Sequence, residues 1–259
     1  MPYPYAVMSP LRLDREPVHM ATVILQSASG GIFANEQLTQ SIDVLNGAAA
    51  RVMTPSATVV HAMPNGGKAS QTITIGASAG ALFEWLPQPL VLFPDSRLAQ
   101  TLVIKAAPDA MVLATEGFLT HDHTGKDATF GWLDTRIELR RCDGRLIAMD
   151  HSRCSGEMLL APLPGIVGRF RAFGTVLVCA ELPQQKVALL SEAMIASAQS
   201  ISRLYLGTTV IRGNAGVLLR IAANDGGSLV QAMATITRRI HLELVGIRHS
   251  HCSEQTHLE

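Results

Sequence analysis

Charge is scarce in this chain. Asp, Glu, Lys and Arg make up 16% of its 259 residues, against about 25% in a typical soluble domain. The 21 basic and 21 acidic side chains cancel to a net charge of zero. Without a basic excess there is no electrostatic footprint for nucleic acid, and 5% aromatics leave few platforms on which bases could stack. The four cysteines, Cys142, Cys154, Cys179 and Cys252, include no pair with zinc-site spacing, and nothing in their placement asks for disulfides. Long apolar runs are missing too. The longest uncharged stretch, residues 17–35, is broken by His19, Gln26 and Gly30-Gly31, so no membrane span is expected. The start, Met1-Pro2-Tyr3-Pro4-Tyr5, lacks the basic residues of a signal peptide. The expectation is a cytoplasmic protein with reduced thiols. Gly66-Gly67-Lys68 lacks the upstream glycine and following Ser or Thr of a phosphate loop, so nucleotide binding is not expected.

Apolar residues are plentiful at 47%, enough for a sizeable core. Short runs of strand character dominate: 22–25, 71–75, 101–104, 135–140, 146–149, 175–178 and 217–221. Turn residues separate them, including Asp143-Gly144, which predicts a hairpin. Two segments carry helical period. From Ser228, a candidate N-cap, Leu229, Met233, Ile236, Ile240 and Leu244 recur at steps of three and four, with Gly246 as the expected stop. Over 187–201 a stripe of Leu190, Met194, Ile195 and Ala198 predicts a second helix. No sequence repeat or linker is visible. The reading is a mostly β (α+β) fold, with packed sheets in one large domain over 1–248, two helices in the C-terminal third, and a flexible tail over 249–259. Between residues 37 and 94 the only charges are Asp43, Arg51, Lys68 and Glu84, which predicts strands buried on both faces or covered by a partner.

Four motifs carry chemistry. Gly76-Ala77-Ser78-Ala79-Gly80 has the nucleophile-elbow pattern of a serine hydrolase, with Ser78 as nucleophile; it requires a following helix, and Pro87 arrives too soon. A tight small-residue turn is the alternative. His121-Asp122-His123 and the tail residues His249, His251, Cys252 and His257 are metal-competent by composition, but neither group has the spacing of a closed site. A solvated turn and a polar tail are the alternatives. Finally, Glu84 sits inside an apolar run, sharing a strand face with Leu82 and Leu86. A lone buried carboxylate must pair, take a proton or meet a cation. Its bland role is a hydrogen bond to loop backbone; its functional role is to line a wet internal path or an interface. Pro87 and Pro89 cannot donate to a ladder, so the chain must leave the sheet there.

The run Gly80-Ala81-Leu82-Phe83-Glu84-Trp85-Leu86-Pro87-Gln88-Pro89-Leu90, followed by Phe93, resembles the central motif of the urease accessory protein UreD family. The glycine-rich turn from Ser29 through Gly30 and Gly31 to Glu36 is similar to that of the family, with Glu36 where Asp is usual. Arg203, after Ser202, and Arg220 also fall at familiar positions. Two stretches depart: 55–59 lacks the usual Gln and Lys, and Gly125-Lys126 is all that remains of a later polar motif. The resemblance implies a non-enzymatic scaffold with no tightly bound cofactor. Its implied partners are apo-urease, UreF and the GTPase UreG, and its implied cargo is nickel bound for the urease active site. A water-filled tunnel is the implied route. Nickel in transit needs weak oxygen or nitrogen ligands, so the expected path residues are Glu84 with Glu36 or Glu116 nearby. Trp85, Pro87, Gln88 and Pro89 are expected to serve fold or partner contact.

Overall fold

The computed structural model of the chain describes residues 4–17, 19–123, 125–160 and 167–256, with side chains described to Arg248. Among these residues the strands run in chain order as β1 (Tyr5–Val7), β2 (Ala21–Ser27), β3 (Gln37–Val44), β4 (Ala49–Met53), β5 (Thr58–Val60), β6 (Ala69–Ala77), β7 (Leu82–Leu86) and β8 (Leu90–Leu92). They continue as β9 (Arg97–Ala106), β10 (Met111–Thr120), β11 (Trp132–Arg141), β12 (Leu146–Cys154), β13 (Ala172–Cys179), β14 (Leu204–Val210) and β15 (Gly216–Ala223). Three α-helices interleave: α1 (Gly156–Leu160), α2 (Gln184–Ala198) and α3 (Gly226–Thr256).

The strands form two sheets. The larger has the order β1-β2-β4-β7-β10-β13-β15-β14, with β5 and β8 extending the rows of β4 and β7 beyond a break; the smaller runs β12-β11-β9-β6-β3. Strands β2, β4, β7 and β10 are parallel, as are β3, β6, β9 and β11. The chain therefore alternates between the sheets, winding in coils like a flattened solenoid. At Asp143-Gly144 it reverses; Gly144 takes φ +88° and Arg145 N–H donates to Asp143 Oδ1. From there β12, β13, β15 and β14 pair antiparallel and complete the two sheets at one end.

All seven strand runs read from the sequence lie within observed strands, and the mostly β architecture is the one predicted. The expected stripe of α2 is buried at Leu190, Met194 and Ala198, with Ile195 packed at its edge. Helix α2 begins and ends three residues before the expected 187–201, and both boundaries of α3 differ as well. The cap of α3 is Asp225, whose Oδ1 accepts the Ser228 N–H at 2.8 Å and whose Oδ2 accepts the Ser228 hydroxyl. Those bonds hold its carboxyl below the usual range. Gly246 does not stop α3, which continues to Thr256. A helical glycine costs only about 1 kcal/mol, and no left-handed residue ends the helix there. Residues 257–259 of the predicted tail, and all side chains after Arg248, lie outside the described residues.

Three apolar clusters organise the packing. One lies outside the larger sheet, where Leu82, Leu113, Val176 and Leu219 meet Leu190 of α2 and Ile236 and Ile240 of α3. The other two lie between the sheets. Ile73, Leu102, Phe83, Val112 and Leu177 form one, and Leu90, Leu98, Phe130 and Leu133 form the other.

Candidate functional site

Between those two inner clusters lies a layer of polar side chains. Alternate residues of a strand share a face, and on several strands of both sheets the inward residue between the two clusters is polar. On β6, Gln71 falls between Ala69 and Ile73; on β9, Gln100 between Leu98 and Leu102; on β11, Thr135 between Leu133 and Ile137. Gln71, Gln100 and Thr135 stand side by side in register. Facing them on the larger sheet, Glu116 of β10 pairs with Thr175 of β13, and Thr175 with Arg220 of β15. The Pro87-Gln88-Pro89 break between β7 and β8 falls at the same level, since Trp85 pairs with Ala114 and Leu90 with Phe118. The prolines thus remove the ladder where the polar layer crosses the sheet. Thr54 Oγ1, at the matching break between β4 and β5, accepts the Gln88 N–H at 2.9 Å.

Three polar pairs bridge the sheets along this layer. Gln71 Nε2 donates to the Tyr5 hydroxyl at 3.2 Å, Gln100 Nε2 donates to Glu116 Oε1 at 2.7 Å, and Arg220 Nη2 grips both Asp150 oxygens at 2.5–2.6 Å. A cavity of about 450 Å³ runs from Tyr5 and Gly30-Gly31 inward to Gln100, Glu116 and Gly117. Beyond the Gln100–Glu116 pair a space of about 30 Å³, lined by Thr135, Ser152, Thr175 and Arg220, continues towards the Asp150–Arg220 end. That is room for a single water. Glu116 is 8% exposed. Burial pushes its carboxyl up to about 7, only partly countered by Gln100; Asp150 adds to the rise and Arg220 opposes it. The thiols near this interior are poor donors, because burial raises Cys154 to about 11 and Cys179 to about 12. What the layer offers a cation is oxygen: the Glu116 carboxylate, amide carbonyls and hydroxyls, with the Asp150 carboxylate already held by Arg220.

Glu84 is placed differently. It pairs with Leu113 on the opposite face of the larger sheet, beneath α3, and is fully buried. Arg51 Nε donates to its Oε2 at 2.5 Å and His241 Nδ1 to its Oε1 at 2.6 Å. Arg51 Nη1 reaches on to Asp14 at 2.8 Å, and His241 Nε2 to the Glu16 carbonyl at 3.1 Å. Both imidazole nitrogens face acceptors, so both carry protons. The bond to Glu84 holds the His241 pKa above its ordinary value although burial opposes it. Two cations balance two carboxylates, and the 3.4 Å approach of Arg51 Nη2 to His241 Nδ1 is a contact between donors. A cavity of about 340 Å³ adjoins this cluster and shares Pro87 and Gln88 with the inner one.

Glu36 closes its own turn, its Oε2 accepting the Phe33 N–H at 2.9 Å. In that turn a Cβ on Gly31 would lie 2.5 Å from the Val59 carbonyl, so only glycine fits. Trp85 is buried in an inner cluster. Arg203 is exposed in the turn before β14. The structure therefore separates Glu84, Glu36 and Glu116 rather than gathering them. Arg51 could have been singled out as one of four charges in a 58-residue stretch. His241 and Gln100 carried no signal, because only the fold brings them to a carboxylate.

The remaining motifs are absorbed by the fold. Ser78 lies in the turn between β6 and β7, its N–H donating to the Val44 carbonyl, and a strand follows where an elbow requires a helix. His121 and His123 flank the Phe93 ring while Asp122 accepts the N–H groups of Lys126 and Ala128. Thr124, and the side chains of His249, His251, Cys252 and His257, lie outside the described residues. Among the described residues no three His, Cys, Asp or Glu side chains are grouped to hold a metal, and no helix is long and apolar enough to cross a membrane.

Comparison with known proteins agrees with the motif. Residues 2–253 match the family model described as UreD urease accessory protein. The chain is 34% identical over 248 residues to urease accessory protein UreD 1 of Methylorubrum populi, covering 95% of this chain and 82% of the relative. It is 34% identical over 231 residues to UreD 1 of a Bradyrhizobium strain, covering 89% and 79%. To UreD 1 of Pseudomonas syringae pv. syringae it is 30% identical over 246 residues, covering 95% and 85%. The chain belongs to the urease accessory protein UreD family.

Proposed function

We propose that this protein is a non-enzymatic scaffold of urease maturation that binds apo-urease and UreF, with UreG, in the cytoplasm. Nickel crosses it through the polar layer between the sheets. The observation that carries this reading is the layer itself: bridging polar pairs lie in line between two apolar clusters, with a cavity leading to Glu116. The bridging bonds offset part of the cost of burying that row, and the lone pairs they leave over can be met by water or a cation. Few oxygen donors bind nickel weakly enough to release it, which suits passage rather than storage, and no resident cofactor is needed. Glu116 is the path's carboxylate. Glu84 fixes α3 to the sheet, and Glu36 shapes the turn at the wide mouth.

The test is Glu116→Gln, which keeps the size and the bond from Gln100. Co-expressed with urease and its accessory proteins at limiting nickel, this variant should yield urease with severalfold less nickel, while urease and UreF still co-purify with it. Nickel content equal to wild type would rule out Glu116 as a path residue.

A further inference from the structure

The end of the sandwich where β14 lies carries an edge that the cation path does not use. Among the described residues five strands pair with one neighbour only: β1, β5 and β14 in the larger sheet, β3 and β12 in the smaller, and β5 is three residues long. Strand β1 is three residues long, β3 contains Asp43, and β12 contains Asp150, His151 and Arg153. Strand β14, Leu-Tyr-Leu-Gly-Thr-Thr-Val, has seven residues with no charge and no proline, and it pairs with β15 without a bulge. Proteins usually block a sheet edge with one of those devices, because an open edge templates pairing with another chain. Its outward backbone groups can be assigned. Ile211 N–H donates to the Gly216 carbonyl, which makes 211·216 a bonded pair. In an antiparallel ladder bonded pairs alternate, so 209·218, 207·220 and 205·222 are bonded as well. The N–H and C=O groups of Leu204, Leu206, Thr208 and Val210 therefore point away from the sheet. Tyr205 is 69% and Val210 47% exposed beside them. A cavity of about 380 Å³ opens next to the strand, with Ile137, Leu139, Leu177, Leu218 and Val210 in its apolar wall and Asp150, Arg212 and Arg220 as its charged residues.

We infer that β14 is a docking edge for an extended segment of a partner protein, apolar in its centre and acidic at its ends, which adds a strand to the larger sheet. The row of backbone donors and acceptors fixes an extended backbone as the occupant. The uncharged strand and the aliphatic wall of the adjoining cavity select apolar side chains in its centre. Exposed Arg203 and Arg212 stand at the two ends of the strand, and they select carboxylates there. A second copy of this chain fits less well. Antiparallel pairing of two β14 strands would bring Arg203 of each near Arg212 of the other, and like charges brought close across strands destabilise. This inference does not rest on the cation path, although the adjoining cavity shares Asp150 and Arg220 with the narrow end of the polar layer.

The test uses a labelled peptide, Glu-Thr-Val-Thr-Val-Thr-Glu, and the full chain. Fluorescence anisotropy should show saturable binding that Val210→Pro weakens about tenfold, the worth of one lost hydrogen bond. The Val210 N–H faces outward, so this proline leaves the β15 ladder intact. Val210→Thr, which keeps the N–H and changes only the cavity-facing side chain, should lose much less than Val210→Pro, and a Lys-ended peptide should bind more weakly. Hydrogen exchange on the wild-type chain should show Leu206 and Thr208 amides protected by the peptide, an outcome independent of how any variant folds. No saturation up to millimolar peptide, or unchanged binding by Val210→Pro, would overturn the inference. So would a wild-type dimer that Val210→Pro dissolves, since that makes a second copy the occupant.

Discussion

Glu84 and Glu116 lie on opposite faces of one sheet, and both are buried. Glu84 is ringed by charge: Arg51 and His241 hold both its oxygens, with Asp14 completing the balance. Glu116 has a neutral amide for a partner, at the end of a cavity, with Arg220 farther along its own sheet. Burial alone therefore does not distinguish these two carboxylates; the kind of partner does. A carboxylate neutralised by two fixed cations has no capacity left for a third. One held by an amide, with its carboxyl near neutrality, can still exchange its proton for another cation.

The largest expected effect breaks the outer half of this contrast. Glu84→Ala leaves Arg51 and His241 beneath α3 without their main counter-charge, and removing one member of a buried pair costs about 3–5 kcal/mol. In a chain of this size that is a fall of roughly 10 °C in Tm, measurable by thermal unfolding. His241 should make the loss pH-dependent. Its folded pKa is raised, so the stability it contributes is complete below its unfolded pKa and fades as pH rises through the folded one. The gap between wild type and Glu84→Ala should therefore narrow on the alkaline side of the ordinary histidine range. A constant gap would mean that His241 is neutral in the fold.

Glu116→Gln should act with the opposite sign. The folded carboxyl titrates at about 7 against an ordinary 4.5. Between those values the unfolded chain has lost its proton and the folded chain has kept it, so wild-type stability falls as pH rises through this window. Glutamine removes that loss. The variant should be the more stable protein above pH 7, by on the order of 3 kcal/mol at most, with the advantage vanishing near pH 4. Denaturant unfolding across that range would show it, and equal stability at all pH values would place Glu116 in contact with water or a cation.

The strands and both long helices were legible because alternation and helical period are local signals. The winding was not. Leu38, Gln71, Gln100 and Thr135 occupy equivalent positions on successive coils, yet they are 29 to 35 residues apart and share no repeated motif. Nothing in the sequence declares a solenoid. Glu84 was conspicuous as a charge in an apolar run, and Pro87 and Pro89 correctly marked a break in the sheet. Its partners were hidden, because His241 lies 157 residues away on a helix face that reads as ordinary. The polar layer was hidden for a similar reason. Gln71, Gln100 and Thr135 are unremarkable singly, and their meaning comes from register.

The smallest effect sharpens the inner half of the contrast. Arg220 Nη2 reaches both carboxylate oxygens of Asp150 at the narrow end of the layer, with the Arg220 side chain 46% exposed. A pair so open to solvent contributes about 1 kcal/mol or less, so neither Arg220→Ala nor Asp150→Asn should shift Tm by more than a few degrees. Their electrostatic effects on Glu116 differ in sign, because Arg220 lowers its carboxyl pKa and Asp150 raises it. In Arg220→Ala Glu116 should hold its proton to higher pH, and in Asp150→Asn it should release it at lower pH. Infrared titration of the carboxyl band, with Glu116→Gln to identify it, would read both shifts. Shifts in opposite directions would tie the far end of the layer to Glu116 through the field alone. Shifts in the same direction would mean that breaking the pair opens the end to water, so that solvation rather than charge sets the carboxyl.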